Sequence, residues 1–301
     1  MKKILIFTTF ILLTVVTVFA QKRTKPQPVK PKPIVFAVLN DGKTLEPIGE
    51  INKGQLVATV NGGDDAKEIA NFTNTYYKPK TVYNLIFGGA ANGTVAVKSF
   101  NAKSDCAKNL AEVTTQSTKA KLKGLVMGLA TNEKPAKTNL GVRRLPTADE
   151  RAEIEKLVRA EFAKQGVAAR VLGNLKYYNL TALDVDNDQK AEMVGSFWVE
   201  SSAKERNLLF FIAEKNSVDN YKFGYSEYRK VTSDEMMSGE LKDLDELGGE
   251  LLLDTLEYNG DKATEIFTIN KAFEGNNFYA YSRKDGKWTR VFESYNYHCA
   301  Y

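Results

Sequence analysis

The sequence predicts an α+β fold: a β-rich N-terminal module followed by an α+β module with two strand-loop-strand repeats. Three observations predict it. Apolar runs of five to seven residues alternate with Gly/Asn turns between Ile34 and about Leu129, a pattern of short strands. One well-capped amphipathic stretch, Thr147 to Gly166, carries helical periodicity. Beyond it, an acidic loop occurs twice, 73 residues apart (257 − 184 = 73), each time between strand-like runs.

The first residues read as a targeting segment. Lys2 and Lys3 precede an apolar stretch, Ile4 to Phe19, and Val18-Phe19-Ala20 is a small-residue cleavage pattern. Sixteen residues, apolar with scattered Thr, fall short of the roughly 20 that a spanning helix needs, so 1–20 is expected to be a secretory signal peptide rather than a membrane anchor. The compartment is then periplasmic or extracellular, and no later segment is apolar enough to span a membrane. Residues 21–33, QKRTKPQPVKPKP, hold four of the eight prolines and no acid. They are expected to form an extended tether, either a solvated spacer or a contact with an anionic envelope surface.

Module 34–140 is read as strands: Ile34–Leu39, closed by Asn40-Asp41-Gly42; Gln55–Val60, closed by Asn61-Gly62-Gly63; Tyr83–Phe87; and Thr94–Phe100. Gly88-Gly89-Ala-Ala-Asn-Gly93 lacks the Gly-Lys-Ser/Thr of a phosphate loop, so it is read as a hairpin turn. Thr131 to Pro146 is polar and marks the boundary to module 145–301. There Thr147 and Glu150 form a capping box. Ile154, Leu157, Val158 and Phe162 make one apolar stripe, and Gly166 supplies a left-handed end. Strands follow at Tyr177–Leu183, Met193–Val199, Leu208–Ala213 and Tyr221–Tyr228, then a weaker helix over Ser233–Leu247. The repeat comes next: Leu251–Leu256, Ile266–Asn270, Asn277–Arg283 and Trp288–Phe292.

The loops read Asp184-Val-Asp186-Asn-Asp188-Gln-Lys-Ala-Glu192 and Glu257-Tyr-Asn259-Gly-Asp261-Lys-Ala-Thr-Glu265. Each offers side-chain oxygens at relative positions 1, 3, 5 and 9, the pattern in which a tight turn gathers ligands for a hard cation. Unpaired carboxylates so close together repel without one. The alternative is a set of good turn residues that bond their own backbone. The first loop resembles the calcium loop of FG-GAP and related secreted β-repeats over about a dozen residues per copy. It is unlike an EF-hand, with Gln189 and Gly195 at positions 6 and 12. The resemblance implies calcium ligation by Asp184, Asp186, Asp188 and Glu192, and by Glu257, Asn259, Asp261 and Glu265 in a copy with one fewer carboxylate. It implies a rigid strand connection rather than a reaction.

Other chemistry is sparse. The only two cysteines, Cys106 and Cys299, either pair or are buried singly; an even count in a secreted chain favours pairing. The single histidine, His298, has no orienting neighbour in sequence, and is read as part of a seam beside Cys299 rather than as a base or metal ligand. Aromatics crowd the C-terminal strands: Phe278, Tyr279, Tyr281, Trp288, Phe292, Tyr295, Tyr297 and Tyr301. They form either core or a ligand platform. Nothing has the basic and aromatic interleaving of a nucleic-acid binder. The sequence thus reads as a secreted bacterial protein, a non-catalytic binding or structural one stabilised by calcium, with an extracellular or envelope ligand. The competing expectation is a secreted hydrolase whose carboxylates no local pattern pairs.

Overall fold

Ile34–Leu39 (β1) is a strand in which no residue is more than 6% exposed, and the architecture follows from that. Ile34, Phe36 and Val38 point into one apolar cluster, while Val35, Ala37 and Leu39 point into another. A continuous apolar run marks a strand covered on both faces. In the computed structural model, which describes residues 31–100, 105–134, 143–186, 188–216, 218–261 and 263–299, one face of β1 lines a barrel and the other packs on a separate sheet. Residues 1–20, read as a signal peptide, most of the stretch read as a tether, residues 135–142 of the expected boundary and Tyr301 lie outside the described residues.

The barrel comprises β1, Thr44–Asn52 (β2), Val82–Phe87 (β4), Ala90–Phe100 (β5), Ala111–Gln116 (β6) and Gly128–Thr131 (β7). They run in the order β1-β7-β4-β5-β6-β2, and β2 pairs back onto β1 to close the ring; Gln55–Ala58 (β3) extends from β2. Its interior holds Phe36, Leu45, Tyr83, Val95 and Val113, joined by Phe72 and Tyr76 of a helix at Ala66–Tyr76 (α1). Asp65 caps α1 by accepting from the amides of Lys67 and Glu68, which satisfies donors that a helix start leaves open.

Two four-stranded antiparallel meanders follow. The first is Lys176–Leu183 (β8), Glu192–Ser202 (β9), Glu205–Lys215 (β10) and Tyr221–Thr232 (β11); the second is Leu251–Leu256 (β12), Glu265–Ala272 (β13), Gly275–Lys284 (β14) and Lys287–Tyr297 (β15). The helix Ala148–Lys164 (α2) lays Ile154, Val158 and Phe162 on the outer face of the first meander. The meanders meet through Val194, Phe210, Ile212, Leu252, Ile266 and Tyr281. The far face of the second meets the barrel through Phe267, Phe278 and Phe292. The layers are therefore helix, sheet, sheet, barrel.

The α+β expectation is overturned. Half of the described residues, 50%, are in strands and 15% in helices. The protein is mostly β, and its helices cover β layers without forming a helical module. The stretch Ser233–Leu247 holds only a turn of 3₁₀-helix at Ser233–Glu235 and a five-residue helix, Asp243–Leu247 (α3). Gly239 between them takes φ 71°, a left-handed conformation that stops a helix. Conversely, α1 sits inside the region read as mostly strand, where no helix was expected. β2 escaped sequence reading because Pro47 interrupts it. Pro47 is tolerated opposite Phe36, where the β1–β2 register shifts, since a bulge removes the need for its missing donor.

Buried polar groups fasten the layers. Asp254 of β12 is fully buried and accepts from the Gly88 and Gly89 amides, each at 3.0 Å, and from Arg143 Nη1 at 3.0 Å. The Gly-Gly turn of the β4–β5 hairpin is thus an anion-binding concavity filled by the protein's own carboxylate. Glu46 of β2, 1% exposed, accepts from Asn276 and Asn296 and lies 2.7 Å from His298 Nε2. Cys106 and Cys299 form a disulfide with Cα atoms 5.3 Å apart, tying the β5–β6 connection to the end of β15.

Candidate functional site

Both acidic loops join the first two strands of a meander, and their geometry repeats the spacing of the sequence. Leu183 pairs with Glu192 across β8 and β9, and Leu256 pairs with Glu265 across β12 and β13. Each pair is offset from the other by 73 (256 − 183 = 73; 265 − 192 = 73). Closing both strand pairs on the same residues holds each loop to one length and puts its last acid at the base of the turn.

In the first loop, Asp184, Asp186 and Asp188 bring one oxygen each within 4.8 Å of the others. The turn is wound by its own acids. Asp184 Oδ2 accepts from the Gln189 amide at 3.2 Å, Asp186 Oδ1 from Asp188 at 3.3 Å, and Asp188 Oδ1 from Lys190 at 2.8 Å. Gln189 takes φ 67°, the left-handed conformation for which glycine is the usual choice. Glu192, 4% exposed, accepts from the Val185 amide at 3.0 Å. Burial, reinforced by the charges of Asp186 and Asp188, pushes its carboxyl up to about 8. Asp184 Oδ1 is enclosed and has no hydrogen-bond partner among the described residues. Arg283 of β14 reaches across from the second meander to place Nη1 2.9 Å from Asp186 Oδ2, with Nε 3.1 Å from Glu214 Oε2 but not aligned for a hydrogen bond.

The second loop is similar in path and different in electrostatics. Glu257 Oε1 accepts from the amides of Asn259 and Gly260, and Asp261 Oδ1 from that of Ala263. The Asn259 side-chain amide donates to both Asp261 and Glu265. A neutral donor therefore stands where a cation would sit, and among the described residues this loop forms no three-carboxylate group. Glu265, 1% exposed, keeps an Oε2 without a hydrogen-bond partner among the described residues, as does Glu257. Burial and the neighbouring Glu257 and Asp261 push Glu265 up to about 8. The loops touch: the Thr264 amide and hydroxyl both donate to the Val185 carbonyl at 3.0 Å.

Sequence reading missed three groupings. His298 does have an orienting carboxylate, Glu46, contributed from the barrel. Arg283 partners the first loop from 97 residues away. Between the two meanders, Glu250, which immediately precedes β12, accepts from Thr268 and Tyr281, and Arg290 binds Glu227 with its guanidinium 3.9 Å from Glu250. Burial pushes Glu250 up to about 7. A buried acid directly after Gly248-Gly249 and before an apolar strand was the available signal. Of the C-terminal aromatics, Phe278, Tyr281, Trp288 and Phe292 are core, whereas Tyr295 is 39% exposed.

No helix among the described residues is long and apolar enough to cross a membrane. Comparison of the chain with models of protein families, with curated proteins and with solved structures finds no match.

Proposed function

We propose that this is a non-catalytic binding or structural protein of the periplasm or cell exterior, in which the first acidic loop takes a divalent cation of the calcium class. The observation that carries the reading is the Asp184, Asp186, Asp188 triad, with oxygens within 4.8 Å, beside an enclosed Asp184 oxygen that has no donor. A hard cation with several oxygen ligands satisfies such a group, and Glu192 at the base of the turn supplies a further oxygen. The ion would brace the β8–β9 connection, and through Val185 and Thr264 the neighbouring loop. The second loop, with Asn259 already bridging its acids, is the weaker ligand set. The disulfide accords with an oxidising compartment.

The competing reading, a carboxylate hydrolase, has one observation in its favour: Glu250 and Glu227 line the same internal hollow. That hollow is only about 40 Å³, room for a water or two and too little for a scissile bond between the acids. Thermal unfolding in EDTA, magnesium and calcium tests the cation. Calcium is expected to raise Tm, by a stabilisation of about 2.7 kcal/mol at a hundredfold excess over Kd, and Asp184→Asn with Asp188→Asn should abolish the rise. Identical melting curves with chelator and with calcium would sink the proposal.

A further inference from the structure

At the end of the two meanders away from the acidic loops, two hollows adjoin. The inner one, about 40 Å³, has Glu250 and Glu227 in its wall. The outer one, about 260 Å³, opens between the Met236–Leu244 stretch and the β13–β14 hairpin. Arg229, Asn270 and Tyr279 belong to both walls, so the two form one groove with a narrow, deep end and a wide mouth. Asn270 lies five residues beyond Glu265 on β13, roughly 17 Å along the strand, which separates this groove from the acidic loops.

The chemistry changes along the groove. Glu250 is 6% exposed. Its Oε1 is taken by the Thr268 and Tyr281 hydroxyls, while its Oε2 receives no hydrogen bond among the described residues and has only the Arg290 guanidinium, at 3.9 Å. Glu250 and Glu227 share Arg290, and Arg229 stands in the same wall toward the mouth. Glu250 Oε2 keeps the capacity to accept from a donor that enters the hollow. The mouth carries charges of both signs, Arg229 and Lys271 with Glu235 and Asp243. Arg229 is exposed and makes no ion pair among the described residues, although its charge reaches Glu235; Tyr279 lies with its ring under Arg290, and its hydroxyl and the Asn270 side chain make no hydrogen bond among the described residues. Met237, 71% exposed, and Phe273, 40% exposed, give the same mouth an apolar wall.

We propose that this groove binds a small molecule with a primary ammonium, an adjacent carboxylate or carbonyl, and an apolar side chain. The ammonium enters the deep end against Glu250 Oε2, the oxygen group meets Arg229 and Asn270, and the apolar side chain covers Met237 and Phe273. The inner hollow admits an ammonium and excludes a ring. The outer hollow falls below the roughly 300–1,000 Å³ of sites for drug-sized ligands and suits one amino-acid side chain. Two sources share this chemistry, a free apolar amino acid and the N-terminal residue of a peptide. The inference goes beyond the cation reading and uses none of its residues.

The test is calorimetric titration of the full chain at one fixed calcium concentration, so that the outcome is independent of the loops. The probes are L-leucine, Leu-Gly-Gly and N-acetyl-L-leucine. L-leucine or Leu-Gly-Gly should bind, and the tighter of them identifies the source. N-acetyl-L-leucine, which lacks the ammonium, should bind at least about tenfold more weakly, as should either ligand to Glu250→Gln. No heat from leucine or tripeptide at about 10 mM, equal binding of the acetylated probe, or unchanged affinity in a folded Glu250→Gln would overturn the proposal. If Glu250→Gln does not fold, the surface variants Arg229→Ala and Met237→Asp replace it. A loss in both supports the groove, and unchanged affinity in either overturns it.

Discussion

Glu46 is a carboxylate held 1% exposed between the barrel and the second meander, with His298 at 2.7 Å and the amides of Asn276 and Asn296 on its oxygens. Burial alone would lower the His298 pKa, but the hydrogen bond and charge of Glu46 outweigh it and leave the imidazole above its ordinary value. The folded protein therefore binds this proton more tightly than the unfolded chain. By linkage the contact contributes fully below about pH 6.5, the unfolded value, and its contribution is lost as pH rises through the higher folded pKa. His298→Ala should accordingly destabilise most at pH 5.5 and progressively less toward pH 9. Urea midpoints of wild type and variant across that range would read it, and a difference that grew with pH would refute the charge assignment. None of this was visible in sequence. Glu46 and His298 are 252 residues apart, and a pairing of that separation leaves no local pattern, whereas the seam position beside Cys299 could be read from adjacency alone.

The elements that sequence reading recovered are those whose signal is contained within the element. The Thr147–Glu150 capping box, the Ile154–Val158–Phe162 stripe and the Gly166 end all form as the spacing implies, because a helix is specified by neighbours three and four residues apart. The duplicated loops were equally legible, since each lies within nine residues, and the paired Leu183–Glu192 and Leu256–Glu265 rungs extend the duplication to the sheets. What the pattern could not supply is the electrostatic setting. Arg283 on Asp186 in one copy and Asn259 between two acids in the other decide how much charge remains for an ion. Arg283 neutralises part of the first loop, so Arg283→Gln should tighten calcium binding severalfold while lowering stability in EDTA. Calcium titrations followed by Tm would show this. Unchanged or weaker binding would mean that Arg283 orients Asp186 for the ion instead of competing with it.

At the scale of the molecule, the reading of two successive modules, one β-rich and one α+β, erred on fold class because strand pairing is non-local. β7 is four residues long and β6, AEVTTQ, buries only Ala111 and Val113, too little apolar pattern to announce themselves, yet they close the barrel; Pro47 disguised β2. The layers are held at one end by Cys106–Cys299, which spans 193 residues. In the chain-entropy treatment a loop of that length constrains the unfolded state by on the order of 4–5 kcal/mol, an upper bound that native strain reduces. The double variant Cys106→Ser, Cys299→Ser should therefore fold with a Tm lower than wild type and equal to that of the reduced protein. An unchanged Tm would show that the barrel and second meander stay docked without the bridge.

The two-sided burial of β1 also sets an order of events as the chain emerges, N-terminus first, into the compartment where it folds. The inward residues of the barrel can be enclosed once Thr131 has emerged, but Val35, Ala37 and Leu39 wait for their cover, which begins at Leu251, 120 residues later (251 − 131 = 120). Until those 120 residues have followed, an enclosed barrel carries that apolar flank uncovered. It is then a surface for holdase chaperones, and for misassociation with a neighbouring nascent chain, well before it becomes the middle of a finished protein.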